Sequence, residues 1–580
     1  MKRTWRTAGV AATAALALVL SGCGGGGGTG GDDTVNTTFN QAVNTIVNQD
    51  DKAGGTLKFA ITDAPDSVDP GNTYYAFNWD FTRLYARALL TFDNKPGKAG
   101  LKVVPDLAEG LGTPSEDGKT WTYKIRKGIK YEDGTEVKAA DVKYAIARSN
   151  YTDELTSGPK YFAQYLDAGD YKGPYKDKNL DNFKGIETPD DYTLVFKLKQ
   201  PFYEFDYLLT NPQSAPVPAA KDTGLKYQEH PVATGPYKVE SHQVGKSLVL
   251  VKNPMWNQAS DPIRKQNVDR IELAMGVNGA TLDEQLLAGT THVNLGGTGV
   301  EAAAQAKILR QDKLKRAADN PLTGFLRYAM LSTKVKPFDN IECRKAVQYA
   351  VDKTAIQGAY GGPIAGDIAS TALPPTETGH TKYDLYPTPG NKGDLNKAKA
   401  ALQACGQPNG FETNIAVRED RAKEVAAAEA IQQSLAKVGI RTQIKKFPSG
   451  DYTSQYAGKP EYVHKNNLGI IIAGWGSDWP TGFGFLSQIA HGEAIKPSGN
   501  YNEMELNDPE VNRLLDEGIR NPNQAEREKA WSQVDRKVME SAALLPFIYE
   551  KVLTYRPPSL TNVYFHEAYK MYDYTALGVK

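Results

Sequence analysis

An α/β fold in more than one domain is predicted, on three observations. Segments that alternate apolar and polar residues with period two are interspersed, along most of the chain, with segments whose apolar residues recur at three and four. The succession Phe411 to Phe447 reads strand, helix, strand and has the size of a parallel crossover. The 580 residues exceed what one core serves, at roughly 150 residues per domain.

Residues 1–22 stand apart from that pattern. Lys2, Arg3 and Arg6 precede an apolar run from Ala8 to Leu20. The run is shorter than the ~20 residues that cross a bilayer and has the layout of a secretory signal. It ends in "LSGC", Leu20 to Cys23, which resembles the lipobox of bacterial lipoproteins and implies cleavage before Cys23 and acylation of its sulfur. Two or more chains make a stable anchor. Residues 23–53 are Gly-rich and then polar, with seven glycines between Gly24 and Gly31. They read as a flexible tether of ~30 residues, with a typical span of about 30 Å.

From Gly54 the elements follow in order. "GGTLKFAI" at Gly54, "KTWTYKI" at Lys119, "DYTLVFKL" at Asp191 and "GKSLVLVKNP" at Gly245 read as strands, the last stopped by Asn-Pro. "DGTEVKAADVKYAIAR" at Asp133 reads as a turn and an amphipathic helix. Asp339 and Glu342 have capping-box spacing before a helix striped by Ala346, Val347, Ala350 and Val351. Asp394 opens a second helix, which Gly406 stops. "FETNIAV" is a strand, Val425, Ala428, Ile431, Leu435 and Val438 stripe the helix after it, and "IRTQIKKF" resumes as a strand.

Composition bounds the chemistry. The chain is 40% hydrophobic and 23% charged, as an ordinary globular protein is, and its 68 basic and 68 acidic residues cancel. Loss of Lys2, Arg3 and Arg6 with residues 1–22 leaves 65 basic against 68 acidic, a net charge of −3. Neither balance points to nucleic acid or to a polybasic membrane surface. The 31 tyrosines suit ligand stacking or sheet cores. Cys343 and Cys405 fit no zinc spacing; in an extracytoplasmic chain they read as a disulfide if their two helices pack together, and otherwise as two buried thiols. The seven histidines are scattered, no H-E-x-x-H occurs, and "VGKS" at Val244 has Glu240 where a P-loop needs its first glycine. No catalytic residue, metal or cofactor is expected.

"LGIIIAGWGSDWP", Leu468 to Pro480, is a buried-strand pattern ending in Asp478 between Trp475 and Trp479. In open α/β sheets ligands bind beyond the carboxyl ends of strands. Arg418 lies just past "FETNIAV", so if the two strands are parallel Arg418 and Asp478 emerge at one edge, a cation and a carboxylate suited to a zwitterion. The structural alternative makes Asp478 the cap of the next turn and Arg418 a solvated surface residue.

The body, Gly54 to Tyr564, resembles the extracytoplasmic solute-binding proteins of ABC importers, in the oligopeptide, dipeptide and nickel class. The resemblance rests on an ordered series: "GGTLKFAITDAPDSVDP", "PDLAEGLGTPSEDGKTWTYKIRKGIKYEDGTEVKAADVKYAIAR", "TGPYKV" at Thr234, "NPMWN" at Asn253, "KPFDNIECRKAVQYAVDKTAI" and "GWGSDWPTGFGFL". It implies the two-lobed periplasmic-binding-protein fold (type II, with an extra subdomain in lobe I) and hinge strands joining the lobes. Lobe I would be 54–323, lobe II 324–530, and 531–580 would return to lobe I, with crossings near Gly324–Leu331 and Trp531–Phe547. It further implies a ligand between the lobes, docking on a permease with its ATPase, a monomer, and an extracytoplasmic position anchored through Cys23. In peptide-binding members the aspartate of the "GW…D" segment, here Asp478, pairs with the ligand ammonium; Arg418 matches the arginine that takes its carboxylate in dipeptide binders. Tyr74, Asn78 and Tyr360 fall in segments that face the cleft in relatives. Peptide is the expected ligand. An oligosaccharide stacked on Trp475 and Trp479 is the alternative, and a receptor-like lipoprotein that delivers nothing is a different class.

Overall fold

The computed structural model describes residues 39–580. Three larger sheets organise them. In the first lobe, Thr56–Ala60 lies between Val293–Asn294 and Arg270–Ala274, parallel to both; Ser247–Lys252 and Tyr237–Gln243 extend the sheet antiparallel. A separate antiparallel sheet is formed by Thr113–Pro114, Thr120–Lys124, Thr193–Lys197 and Ile186–Asp190. The second lobe is built on six strands, in the order Gly366–Ile368, Leu544–Lys551, Leu322–Leu331, Ile470–Trp475, Glu412–Arg418, Arg441–Phe447.

The crossover expected from Phe411 to Phe447 forms. Glu412–Arg418 pairs parallel with Arg441–Phe447 in register Glu412 to Arg441, and the helix Ala422–Ala436 covers the sheet through Ala428, Ile431 and Leu435. Ile470–Trp475 pairs parallel on the other side, Ile415 opposite Ile470. Its "IIIA" run is buried on both faces, which is why it is continuously apolar rather than alternating. At the strand's end the side chains shrink: a Cβ on Gly474 would lie 2.5 Å from the Arg327 guanidinium, so glycine lets that group lie across the strand.

The helices Ile341–Ala350 and Leu395–Ala404 pack together, and Cys343 and Cys405 are bonded, with Cα atoms 5.3 Å apart. The first of these helices is capped by Asn340, whose side chain accepts from Glu342 N–H, and not by Asp339 as the capping-box spacing predicts.

The strand Leu322–Leu331, where the first crossing is expected, pairs with Ile470–Trp475 and with Leu544–Lys551 in the six-stranded sheet. Ala318–Asp319, just before it, pairs antiparallel with Thr554–Tyr555, and further along Tyr574 packs on Phe59. Of residues 23–53, expected as a tether, those described do not stand free of the body. Residues 39–50 form a strap on the body: Asn40 N–H donates to Ala318 O, Ala42 N–H to Asp319 Oδ1, and Val47 bridges Val563. Cys23 lies outside the described residues.

Candidate functional site

The lobes meet along a largely aromatic seam. Phe202 of the first lobe packs on Trp479 and Phe483 of the second, ring centroids 6.3 and 5.9 Å away, and Tyr203 N–H donates to Ile519 O at 2.9 Å. Behind the seam Glu204 is fully enclosed. Its carboxylate accepts from the Trp479 indole at 2.6 Å, the Thr481 hydroxyl at 2.6 Å and the Trp531 indole at 3.2 Å. Burial raises its pKa above the usual carboxylate range, opposed by those donors. Such a group is stable only while its acceptors are filled, so Glu204 holds the loop after Trp475 against the first lobe.

Asp478 stands in that loop. It caps no turn; Thr481 caps the helix Gly482–Ala490 by accepting from Gly484 N–H. Both Asp478 oxygens face the first lobe. Tyr74 Oη donates to Oδ1 at 2.5 Å and Tyr161 Oη donates to Oδ2. Burial lifts the Asp478 pKa, against the two phenols and the charge of Lys570. Lys570 arrives from the C-terminal return, where it donates to Ser477 Oγ at 2.7 Å and pairs with Glu377 at 3.2 Å. The carboxylate is thus bridged across the lobe boundary by neutral donors, with a lysine nearby and no direct ion pair.

The sequence-derived candidates fall into three groups. Asp478, Tyr74 and Trp475 come together: Trp475 leads into the Asp478 loop, donates its indole N–H to Phe485 O and packs on Tyr501, centroids 5.0 Å apart. Trp479 and Asn78 are buried. Trp479 belongs to the Glu204 knot, and Asn78 donates to Ser67 O and, at 2.6 Å, to Thr73 Oγ1, shaping the turn that presents Tyr74. Arg418 emerges at the same sheet edge as Asp478, as parallel pairing requires, but its guanidinium is engaged: Nε donates to Glu424 Oε2 at 2.9 Å and Nη2 to Oε1. Tyr360 is buried behind that edge, its hydroxyl without a partner among the described residues.

Arg418→Ala leaves Glu424, only 4% exposed at its side chain, without its cation. A cost of about 1–3 kcal/mol in stability is expected, discounted because Arg418 itself is partly solvated. Urea unfolding measures it, and an unchanged midpoint refutes the structural role.

Tyr161, Glu204, Tyr501 and Lys570 were not legible beforehand. Tyr161 and Asp478 are 317 residues apart, Glu204 and Trp479 275, and none of the four carries a motif.

Residues 102–497 match the family described as bacterial extracellular solute-binding proteins, family 5. The glutathione-binding protein GsiB of Escherichia coli O6:K15:H31 is 26% identical over 480 residues, covering 80% of this chain and 83% of that one. The structure of clavulanic acid biosynthesis oligopeptide binding protein 2 is 42% identical with a TM-score of 0.90, covering 94% of this chain and 98% of the other. DppA from Helicobacter pylori, solved with the peptide STSA, shares the fold at 22% identity and a TM-score of 0.66, over 91% and 98% of the two chains.

Proposed function

The chain belongs to the family-5 bacterial extracellular solute-binding proteins, and from that premise we propose that it captures peptides between its lobes and delivers them to an ABC permease driven by its ATPase. It binds and releases without chemistry. The observation that carries the reading is the Asp478 carboxylate, aimed across the lobe boundary and met there by the phenols of Tyr74 and Tyr161. A peptide ammonium needs an anion in a place from which water is excluded, together with neutral donors that fix the anion's direction. Trp475 and Tyr501 offer aromatic surface beside it. Similarity to the glutathione-binding and oligopeptide-binding proteins supports the same ligand class.

In this reading the ligand pulls the lobes together, as hinged binding proteins do. Asp478 takes the ammonium and Tyr74 turns toward the ligand backbone. Acylation of Cys23 holds the protein on the outer face of the cell membrane; no described helix is long and apolar enough to cross a membrane. The protein works as a monomer.

The test is to purify the chain from Gly24 onward, denature it, and identify by mass spectrometry what is released, with calorimetry of candidate ligands on the emptied protein. Peptides released and rebound support the reading. Oligosaccharides released, with peptides failing to bind, overturn it.

A further inference from the structure

A second buried acid lies near Asp478. Glu503 sits in the turn Asn500–Glu505, whose shape is imposed by Asn502: its Nδ2 donates to His491 O and Leu506 O, and its Oδ1 accepts from Leu506 N–H. Glu503 is 4% exposed, yet neither of its carboxyl oxygens accepts a hydrogen bond from any described residue, and Oε2 is sealed from solvent. Buried polar atoms are rarely left so, because an unfilled acceptor forfeits its whole hydration. Burial pushes its pKa up to about 8, opposed by Arg418 and reinforced by Glu424.

Its surroundings say what is missing. Arg418 is the nearby cation, and its fork is spent on Glu424. Tyr452, Tyr328 and Tyr501 lie within electrostatic reach of Glu503, and the other acid of the turn, Glu505, is taken by His464 at 2.7 Å. The Tyr360 hydroxyl, enclosed as well, has no partner among the described residues and lies within electrostatic reach of Arg327, Glu424, Glu550 and Arg418. Tyr501 connects this cluster to the cleft: its ring lies on Trp475, and its phenol is within electrostatic reach of both Glu503 and Asp478. The uncommitted charge on this side is therefore an acid, and the arginine expected to grip a ligand carboxylate is already held.

We propose that Glu503 is a second cation-binding position of the cleft, so that the preferred ligand is a peptide carrying a guanidinium or ammonium side chain besides its terminal ammonium. This rests on the peptide reading above. The side-chain cation supplies the donors that the Glu503 oxygens lack and keeps the carboxyl ionised; a neutral side chain leaves it protonated and unfilled.

The test is calorimetry on the full chain with peptides of one length: all alanine, and alanine with one arginine or one glutamate. The arginine peptide is expected to bind at least tenfold tighter than the alanine peptide, the glutamate peptide more weakly than either. In Glu503→Gln the arginine-to-alanine ratio is expected to fall toward one. A ratio unchanged in that variant, or no arginine preference in the natural chain, overturns the inference and leaves the peptide reading standing. Failure of every peptide to bind overturns both. As a check that needs no variant, titration at pH 7 in two buffers of different ionisation enthalpy is expected to show more proton release with the arginine peptide than with the alanine peptide, whose ammonium engages Asp478 alone; equal release from both refutes the role of Glu503.

Discussion

Asp478→Ala is expected to weaken peptide binding by roughly 2–5 kcal/mol, about thirtyfold to several thousandfold in Kd. The loss exceeds that of an ordinary salt bridge because the terminal ammonium would remain enclosed between the lobes without an anion, with the Tyr74 and Tyr161 hydroxyls facing a void. Asp478→Asn separates charge from shape, keeping an acceptor for one phenol and losing the anion, and is expected to recover only a small part of the affinity. The pH dependence follows from the carboxyl's environment. Its folded pKa is raised, chiefly by burial, and only the ionised form attracts an ammonium, so affinity falls as pH drops through that raised value and reaches a plateau above it. The effect on the unliganded fold has the opposite sign: a raised carboxyl pKa contributes stability that is full below the unfolded value, about 3.9, and is lost as pH rises through the folded one. Calorimetry of the natural chain and of both variants across pH 4 to 8 measures all of this. Unchanged affinity in Asp478→Ala removes the residue from the site.

Loss of the Cys343–Cys405 bond is expected to cost the second lobe about 4 kcal/mol, from the loop-closure entropy of a crosslink with a sequence separation of 62. The bond joins two helices of the Cys343, Ala346, Leu402 and Phe411 core, and Cys343 itself is fully enclosed. Reduction, or the double variant Cys343→Ser with Cys405→Ser, is expected to lower the thermal midpoint by several degrees while the first lobe, which contains neither cysteine, keeps its own resistance to proteolysis. Identical midpoints with and without reductant show that the crosslink does not constrain the unfolded chain.

The second lobe was the readable half. Its strand–helix–strand unit repeats two periodicities that local sequence displays, and parallel pairing then dictates that Arg418 and Asp478 share an edge. Side-chain commitment at that edge is invisible in sequence. Arg418 looks as available as any arginine until Glu424, six residues on, folds back against it. Glu503, in "NYNEMEL", resembles a surface acid because glutamate is rarely buried; enclosure comes from the Asn502 turn, which has no periodic signature. The pairing of Cys343 with Cys405 stayed open for a similar reason: spacing alone does not say which helices touch. The strap over residues 39–50 does carry a signal, Phe39, Ala42, Val43, Ile46 and Val47 recurring at three and four, but it is short and follows the Gly-rich run, and the hydrogen bonds that fix its far end, among them Asn48 Nδ2 to Leu560 O and Asp50 N–H to Asn562 Oδ1, leave no hydropathy pattern.

The strap's point of attachment has a mechanical consequence. Asn40 and Ala42 are fastened to Ala318 and Asp319, in the ladder just before the strand where the chain is expected to pass between the lobes. When two bodies rotate about a pivot, material near the pivot is displaced least. Force transmitted through the strap from its N-terminal side therefore acts with almost no lever arm on either lobe and exerts little torque on the opening angle. On the proposed anchoring, the anchor would tug, swivel or drift with the surface and leave the grip on cargo to the cargo.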